Sequence, residues 1–250
     1  IMFVYSFTIN AQDNIQVGDY AYGGIVFQVN DDGTSGLVAA LEDIEANDIG
    51  INVGFEWGCV SETVNPNVYG IGTGYANSLA IQAHGCVPET SGNPTAALAA
   101  LNFNADGYAD WYLPSLDELH LMNLELGAYN SNIGSFINVM NPPSEMACYW
   151  SSSEDANNAN GDPQPDRAKS IRFDQQGSEN GVNRLKSNSC TVRAIRSFST
   201  SGCSDVAACN YGSEDYICLY SLGDGTYDSD RNTFASNSDD GWIIEDVEWN

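Results

Sequence analysis

Positive charge is what this 250-residue chain has least of: eight Lys and Arg stand against 34 Asp and Glu, a formal net charge of -26. None of the eight occurs before Arg167. Such a surface repels a polymer of phosphates, which argues against nucleic acid as a partner. Histidine is nearly as scarce, with only His84 and His120, and neither belongs to an HExxH pattern, so the zinc-protease motif is excluded. There is no GxSxG elbow and no cysteine with an obvious histidine partner, which leaves nucleophilic catalysis without visible machinery. No CxxC occurs, and this argues against a cysteine metal site. No apolar run beyond the first residues approaches the roughly 18 that a membrane span requires.

The basic charge that exists is confined to one window. Seven of the eight basic residues lie between Arg167 and Arg196, and against Asp174 and Glu179 they give a local +5. The chain opens IMFVYSFTINAQDN, an apolar run ending in the small residue Ala11. Residues 1–11 therefore read as the remnant of a secretory signal, without initiator Met or charged leader, cleaved near Ala11; a buried first strand is the alternative. Seven cysteines suit a secreted or cell-surface chain, which can keep disulfides. Small residues, STSG, follow Phe198, so residues 12–199 form the large domain. Residues 200–221 include GCSDVAACNYGSEDYICLY, with Cys203, Cys209 and Cys218, a segment too poor in apolar residues to fold unless stapled by disulfide or metal. Residues 222–250, acidic and rich in Ser, Asn and Gly, read as a linker or the start of a further module.

Within the large domain, GGIVFQVNDDGTSGLVAAL places two apolar strands around an Asp and Gly turn, a β-hairpin from about Gly24 to Leu41. ANSLAIQAHGC and NPTAALAALN have the Ala and Leu content of short helices, the first with Gly85 near a C-cap position. ACYWSSS, AKSIRFD and CTVRAIRSF read as three strands. Helices first and sheet last indicate an α+β fold.

In DWYLPSLDELHLMNLEL, Ser115 and Glu118 have the spacing of a capping box, and the acids Asp117 and Glu118 suit the positive end of the helix dipole. Leu116, Leu119, Met122 and Leu126 recur at helical spacing and bury one face. Local helix physics thus accounts for the acidic pair without chemistry. YGIGTGYAN has the glycines of a phosphate loop, but no GK[ST] follows and no cation precedes Arg167, so tight-loop packing is the better reading. Trp111 and Trp150 sit in apolar stretches and belong to the core; Trp57, beside Gly58 and Cys59, fits core or surface.

GGIVFQVNDDGTSGLVAA, GIGTGYANSLAI, DWYLPSLDELHLM, YWSSSE and VRAIRSF occur in an order that resembles the Lcl C-terminal-type domain of secreted bacterial surface proteins, a C-type-lectin-like family. The resemblance covers roughly residues 18–198. It implies a C-type-lectin-like fold, short helices packed on a twisted antiparallel sheet, in which a long loop region carries ligand binding. Some members of that family bind sulfated polysaccharides. The trailing GCSDVAACNY is similar to a short Cys and Asp repeat found after such domains in large exported proteins. Cys59 precedes, and Cys86 ends, the segment of the first helix, while Cys148 and Cys190 each open a predicted strand. Disulfides are expected for Cys59 with Cys86 and Cys148 with Cys190, the second being what a lectin-like sheet would use.

Two candidate sites follow. The loop SEDANNANGDPQPDRAK gathers hard oxygen donors of the kind calcium takes six to eight of. Glu154, Asp155, Asp162, Gln164 and Asp166 are the expected metal ligands, with calcium as the cofactor. Gln164, Pro165 and Asp166 match the QPD tripeptide that supplies calcium and sugar ligands in C-type lectins; the companion WND motif is absent, and RFD, Arg172 to Asp174, is its nearest substitute. The alternative is a solvated polar loop in which QPD arises by composition. The second candidate is the basic window, where Arg167, Lys169 and Arg184 would meet sulfate or carboxylate groups. Strand alternation puts Lys169, Ile171 and Phe173 on one face and Arg172 on the other. Arg193 and Arg196 are expected instead to pair with acids inside the domain.

The sequence thus points to a non-enzymatic carbohydrate-binding or adhesion module of an exported bacterial surface protein, calcium-assisted and directed to anionic polysaccharide, with Gln164, Asp166, Arg167, Lys169 and Arg184 as ligand-binding residues. The alternative is a structural module that self-assembles with other copies of its surface protein or filament and binds no glycan. An enzyme would need a cleft bringing His84 or His120 to a carboxylate, which both helical contexts argue against.

Overall fold

The computed structural model describes residues 15–31, 33–46, 54–64, 68–127, 148–155, 164–173 and 181–200, and the backbone of four short strands between 227 and 243. The segment 1–11, Asp162, and Cys203, Cys209 and Cys218 lie outside the described residues. The main elements are β1 (Tyr20–Ala21), β2 (Gly24–Val29), β3 (Ser35–Ala39), β4 (Phe55–Glu56), α1 (Gly74–Ala83), α2 (Ala96–Leu101), α3 (Leu116–Leu126), β5 (Tyr149–Glu154), β6 (Arg167–Ile171), β7 (Val182–Leu185), β8 (Ser189–Cys190) and β9 (Ile195–Ser199). Beyond them, β10 (Tyr227–Asp228) pairs with β11 (Thr233–Phe234), and β12 (Ser236–Ser238) with β13 (Gly241–Ile243), each antiparallel. Among the described residues the fold is mixed α and β, with three helices of 10, 6 and 11 residues on antiparallel sheets.

The hairpin read from the sequence is the centre of the first sheet, ordered β1-β2-β3-β9. Its turn closes at Gly33, whose φ of 70° suits a residue without Cβ, and whose amide donates to the Asn30 carbonyl at 2.8 Å. The β2–β3 register shifts between Val26 and Gln28. Strand alternation sends Val26 and the next residue, Phe27, into different core clusters. Residues of β3 alternate likewise, with Val38 in one cluster and Leu37 and Ala39 in the other, so the sheet is buried on both faces. Ile81 of α1 and Ala96, Ala97, Ala99 and Ala100 of α2 belong to the first cluster; Leu116, Leu119, Met122 and Leu126 of α3 belong to the second. Among the described residues, no helix is long and apolar enough to cross a membrane.

The second sheet, β5-β6-β7, is antiparallel throughout. Every residue of β5, YWSSSE, is buried, and its serines anchor neighbouring loops: the Ser152 and Ser153 hydroxyls donate to the Pro114 and Val68 carbonyls at 3.2 and 2.7 Å. Trp57 and Trp150 donate their indole N–H groups to the Ser151 and Phe55 carbonyls at 3.0 and 2.7 Å, tying β5 to β4. Trp57, Trp111 and Trp150 are all fully buried, which assigns Trp57 to the core. Disulfides join Cys59 to Cys86 and Cys148 to Cys190.

Two buried glutamates hold loops from inside. Glu118 completes the capping box: Ser115 Oγ accepts from the Glu118 amide at 3.3 Å, and Glu118 Oε2 accepts from the Ser115 amide at 2.7 Å. The same carboxylate accepts from the Gly72 amide at 2.8 Å and from Gly74. A Cβ at Gly74 would collide with it, so the glycine-rich loop packs onto an internal carboxylate where a phosphate loop would hold its ligand. Glu56 accepts from the amides of Glu89, Thr90 and Ser91 at 2.6, 2.9 and 2.7 Å and from the Thr90 hydroxyl at 2.7 Å. Burial works to raise its pKa, but these four bonds outweigh it and hold the carboxyl below the usual range.

Candidate functional site

The end of β5 and the start of β6 and β7 form a polar corner. Lys169 and Asn183 are register partners across β6 and β7, so their side chains share a face. The Lys169 ammonium donates to Asn183 Oδ1 at 2.6 Å and lies 3.4 Å from Asp155 Oδ2. Asp155 is buried, and Oδ2 receives no hydrogen bond among the described residues. The Tyr69 hydroxyl lies 3.5 Å from Asp155 Oδ1; burial, with the Asp155 charge beside it, pushes this phenol up to about 12. Arg167, two residues before Lys169 on the same strand face, donates to the Asn183 carbonyl at 3.3 Å. Hydroxyl, carboxylate, ammonium, amide and guanidinium groups therefore meet within one corner.

The expected ligand set does not gather as a unit. Arg184 pairs in register with Ala168, and its Nε donates to Ser170 Oγ at 3.1 Å. It therefore occupies the sheet face opposite Arg167 and Lys169, and the three basic residues split two and one. Glu154, expected in a calcium loop, is fully buried and paired with the Lys186 ammonium, while its Oε2 accepts from the Val64 amide at 2.8 Å. Asp155, its neighbour on the strand, faces the other way and meets Lys169. Two of the five expected oxygen ligands thus already lie against lysines, which a cation would have to displace. Gln164 and Asp166 are half-buried in the turn before β6, where the Arg167 amide donates to the Gln164 carbonyl at 3.2 Å and the Lys186 amide to the Asp166 carbonyl at 2.8 Å.

Arg193 and Arg196 pair internally, as expected. Arg193 Nε meets Asp43 at 2.6 Å. Arg196 grips Asp110 through two nitrogens at 2.6 and 2.7 Å and stacks 3.9 Å from the Tyr108 ring centre. His84, against the helical expectation, does meet a carboxylate: its Nε2 lies 2.7 Å from Glu62 Oε2, both side chains exposed. Cys59 Sγ is close enough to complete a metal triad, but it is bonded to Cys86 and has no thiolate to offer.

Sequence reading missed Tyr69 and Asn183. Neither carries a local signal, since each acquires its role from a partner 86 or 14 residues away. No family model matches the chain, and no curated protein matches it.

Proposed function

We propose that this chain is a non-enzymatic carbohydrate-binding or adhesion module of an exported bacterial surface protein, with a C-type-lectin-like domain, and that it takes an anionic polysaccharide at the Arg167 and Lys169 corner. The mixed architecture of short helices on antiparallel sheets, stapled by the Cys59–Cys86 and Cys148–Cys190 disulfides, supports the lectin-like reading. The observation that carries the site is the placement of Arg167 and Lys169 on one face with Asp155, Tyr69 and Asn183, in a chain that is otherwise strongly acidic. A sulfate or uronate carboxylate would meet the two cations, and neighbouring sugar hydroxyls would meet the phenol and the amide. Calcium assistance would rest on Gln164 and Asp166, with Asp162, because Glu154 and Asp155 hold lysines.

A polysaccharide and glycan array probed with the full chain, in calcium and in EDTA and at low and raised salt, tests the proposal. Binding that falls with salt and is lost in Lys169→Ala supports the corner; loss in EDTA assigns calcium to the Gln164 loop. Absence of binding in every buffer refutes the glycan reading in favour of self-assembly, for which the partly exposed Val182 and Leu185 of β7, an edge strand of its sheet, offer a surface.

A further inference from the structure

Lys186 and Glu154 are both without solvent exposure. The ammonium is held from three sides: it donates to Glu154 Oε1, to the Glu62 carbonyl at 2.6 Å and to the Cys59 carbonyl at 3.3 Å. The Trp57 ring covers it, with its centre 4.5 Å from Nζ. The other carboxylate oxygen of Glu154 accepts from the Val64 amide at 2.8 Å. An amine and a carboxyl group are thus fixed in contact in a water-excluded pocket, with a backbone N–H aimed at the second oxygen. An isolated buried ion pair gains little over neutral packing, because both charges have lost their hydration.

We propose that Lys186 and Glu154 condense into an intramolecular amide that cross-links the end of β5 to the segment following β7. The proton shared between Nζ and Oε1 passes to the carboxylate, which leaves a neutral amine against a carboxylic acid. The Nζ lone pair attacks Cδ and forms the Nζ–Cδ bond; negative charge develops on Oε2, where the Val64 N–H already points. A second proton moves from Nζ to Oε1, the Cδ–Oε1 bond breaks, and Oε1 leaves as water. One ammonium and one carboxylate become one amide and one water, with no oxidant and no co-reactant. The remaining N–H stays on the Glu62 carbonyl, and Val64 continues to donate to the new amide oxygen. Contact and orientation supply the effective concentration that the same reaction lacks in solution.

Mass spectrometry decides the question. The full chain, purified folded and then unfolded and fully reduced, is expected to be lighter than its sequence by one water, and Lys186→Arg to show no loss. A chymotryptic digest of the unmutated protein should contain two peptides joined through residues 154 and 186 that reduction does not separate, a readout independent of whether the variant folds. Protein with Cys59–Cys86 and Cys148–Cys190 closed, yet with the linear mass after reduction, overturns the proposal and leaves an ion pair. A water loss that maps elsewhere, such as a succinimide at Asp106 and Gly107, overturns it equally.

Discussion

Replacing Glu118 by Gln tests whether burial or hydrogen bonding governs an internal carboxylate. Burial raises the Glu118 pKa to about 7 against the pull of the amides of Ser115, Gly72 and Gly74, whereas an unfolded glutamate titrates near about 4.3. The native state therefore binds this proton more tightly than the unfolded one. Linkage makes stability greatest below the unfolded pKa, falling as the pH rises between the two values and flat above the folded one. Relative to Glu118→Gln, which cannot ionise, the natural chain should lose about 3 kcal/mol between about pH 4.5 and 8. The variant also turns an amide N–H₂ toward backbone donors, a constant penalty on the order of 1–3 kcal/mol, so the slope and not the offset carries the result. Urea midpoints followed by tryptophan fluorescence across that range give both. Parallel curves for the two proteins would show that the backbone amides keep Glu118 charged, and would refute the argument that desolvation wins.

Removing either disulfide should be costly in proportion to the loop it closes. Cys148→Ser with Cys190→Ser opens a separation of 42 residues and Cys59→Ser with Cys86→Ser one of 27, which the chain-entropy relation puts at roughly 4 and 3.5 kcal/mol, measurable as shifts in urea midpoint. Glu56→Gln should release the loop that Glu56 holds, read as faster hydrogen exchange at Glu89, Thr90 and Ser91. In the natural chain that anchorage is present above the ordinary glutamate pKa and fades as the pH falls through the lowered one, so exchange at these amides should rise selectively in acid. Arg196→Lys keeps the charge but loses the two-pronged grip on Asp110 and the stack on Tyr108. A loss of about 1–3 kcal/mol is expected from thermal melts.

Elements specified by neighbours in sequence were legible. The capping box and apolar spacing of α3, the Gly and Asp turn of the central hairpin and the Ala-rich α2 each depend on residues within a turn or two. The YGIGTGYAN loop was also readable as packing, because the absence of a nearby cation left its amides without a phosphate; that their anion is Glu118 required the fold. What could not be read is long-range partnership. The β7 sequence VNRL lacks an apolar alternation and becomes a strand only by pairing with β6. Glu154 and Asp155 look alike in an acidic stretch, yet strand alternation sends one to Lys186 and the other to Lys169. The corner itself was half visible, with Arg167, Lys169 and Asp155 named from sequence and Tyr69 and Asn183 supplied only by the fold.

The basic window changes meaning once the chain folds. In sequence it is an electropositive stripe; in the structure Lys186, Arg193 and Arg196 are buried against Glu154, Asp43 and Asp110, acids contributed from outside the window. Three of the seven basic residues in the window thus close the interior, and the positive field at the corner comes from Arg167 and Lys169, with Asp155 opposing them. Such a field is weak and short-ranged at physiological salt, where charges more than about 8 Å apart are screened. On the proposed function, recognition of a polysaccharide there would depend on repeated contacts along a polymer, each individually feeble, and not on a single tight subsite. Short oligosaccharides should compete poorly against the long polymer for the same corner, and a monosaccharide that matched the polymer's apparent affinity would contradict that account.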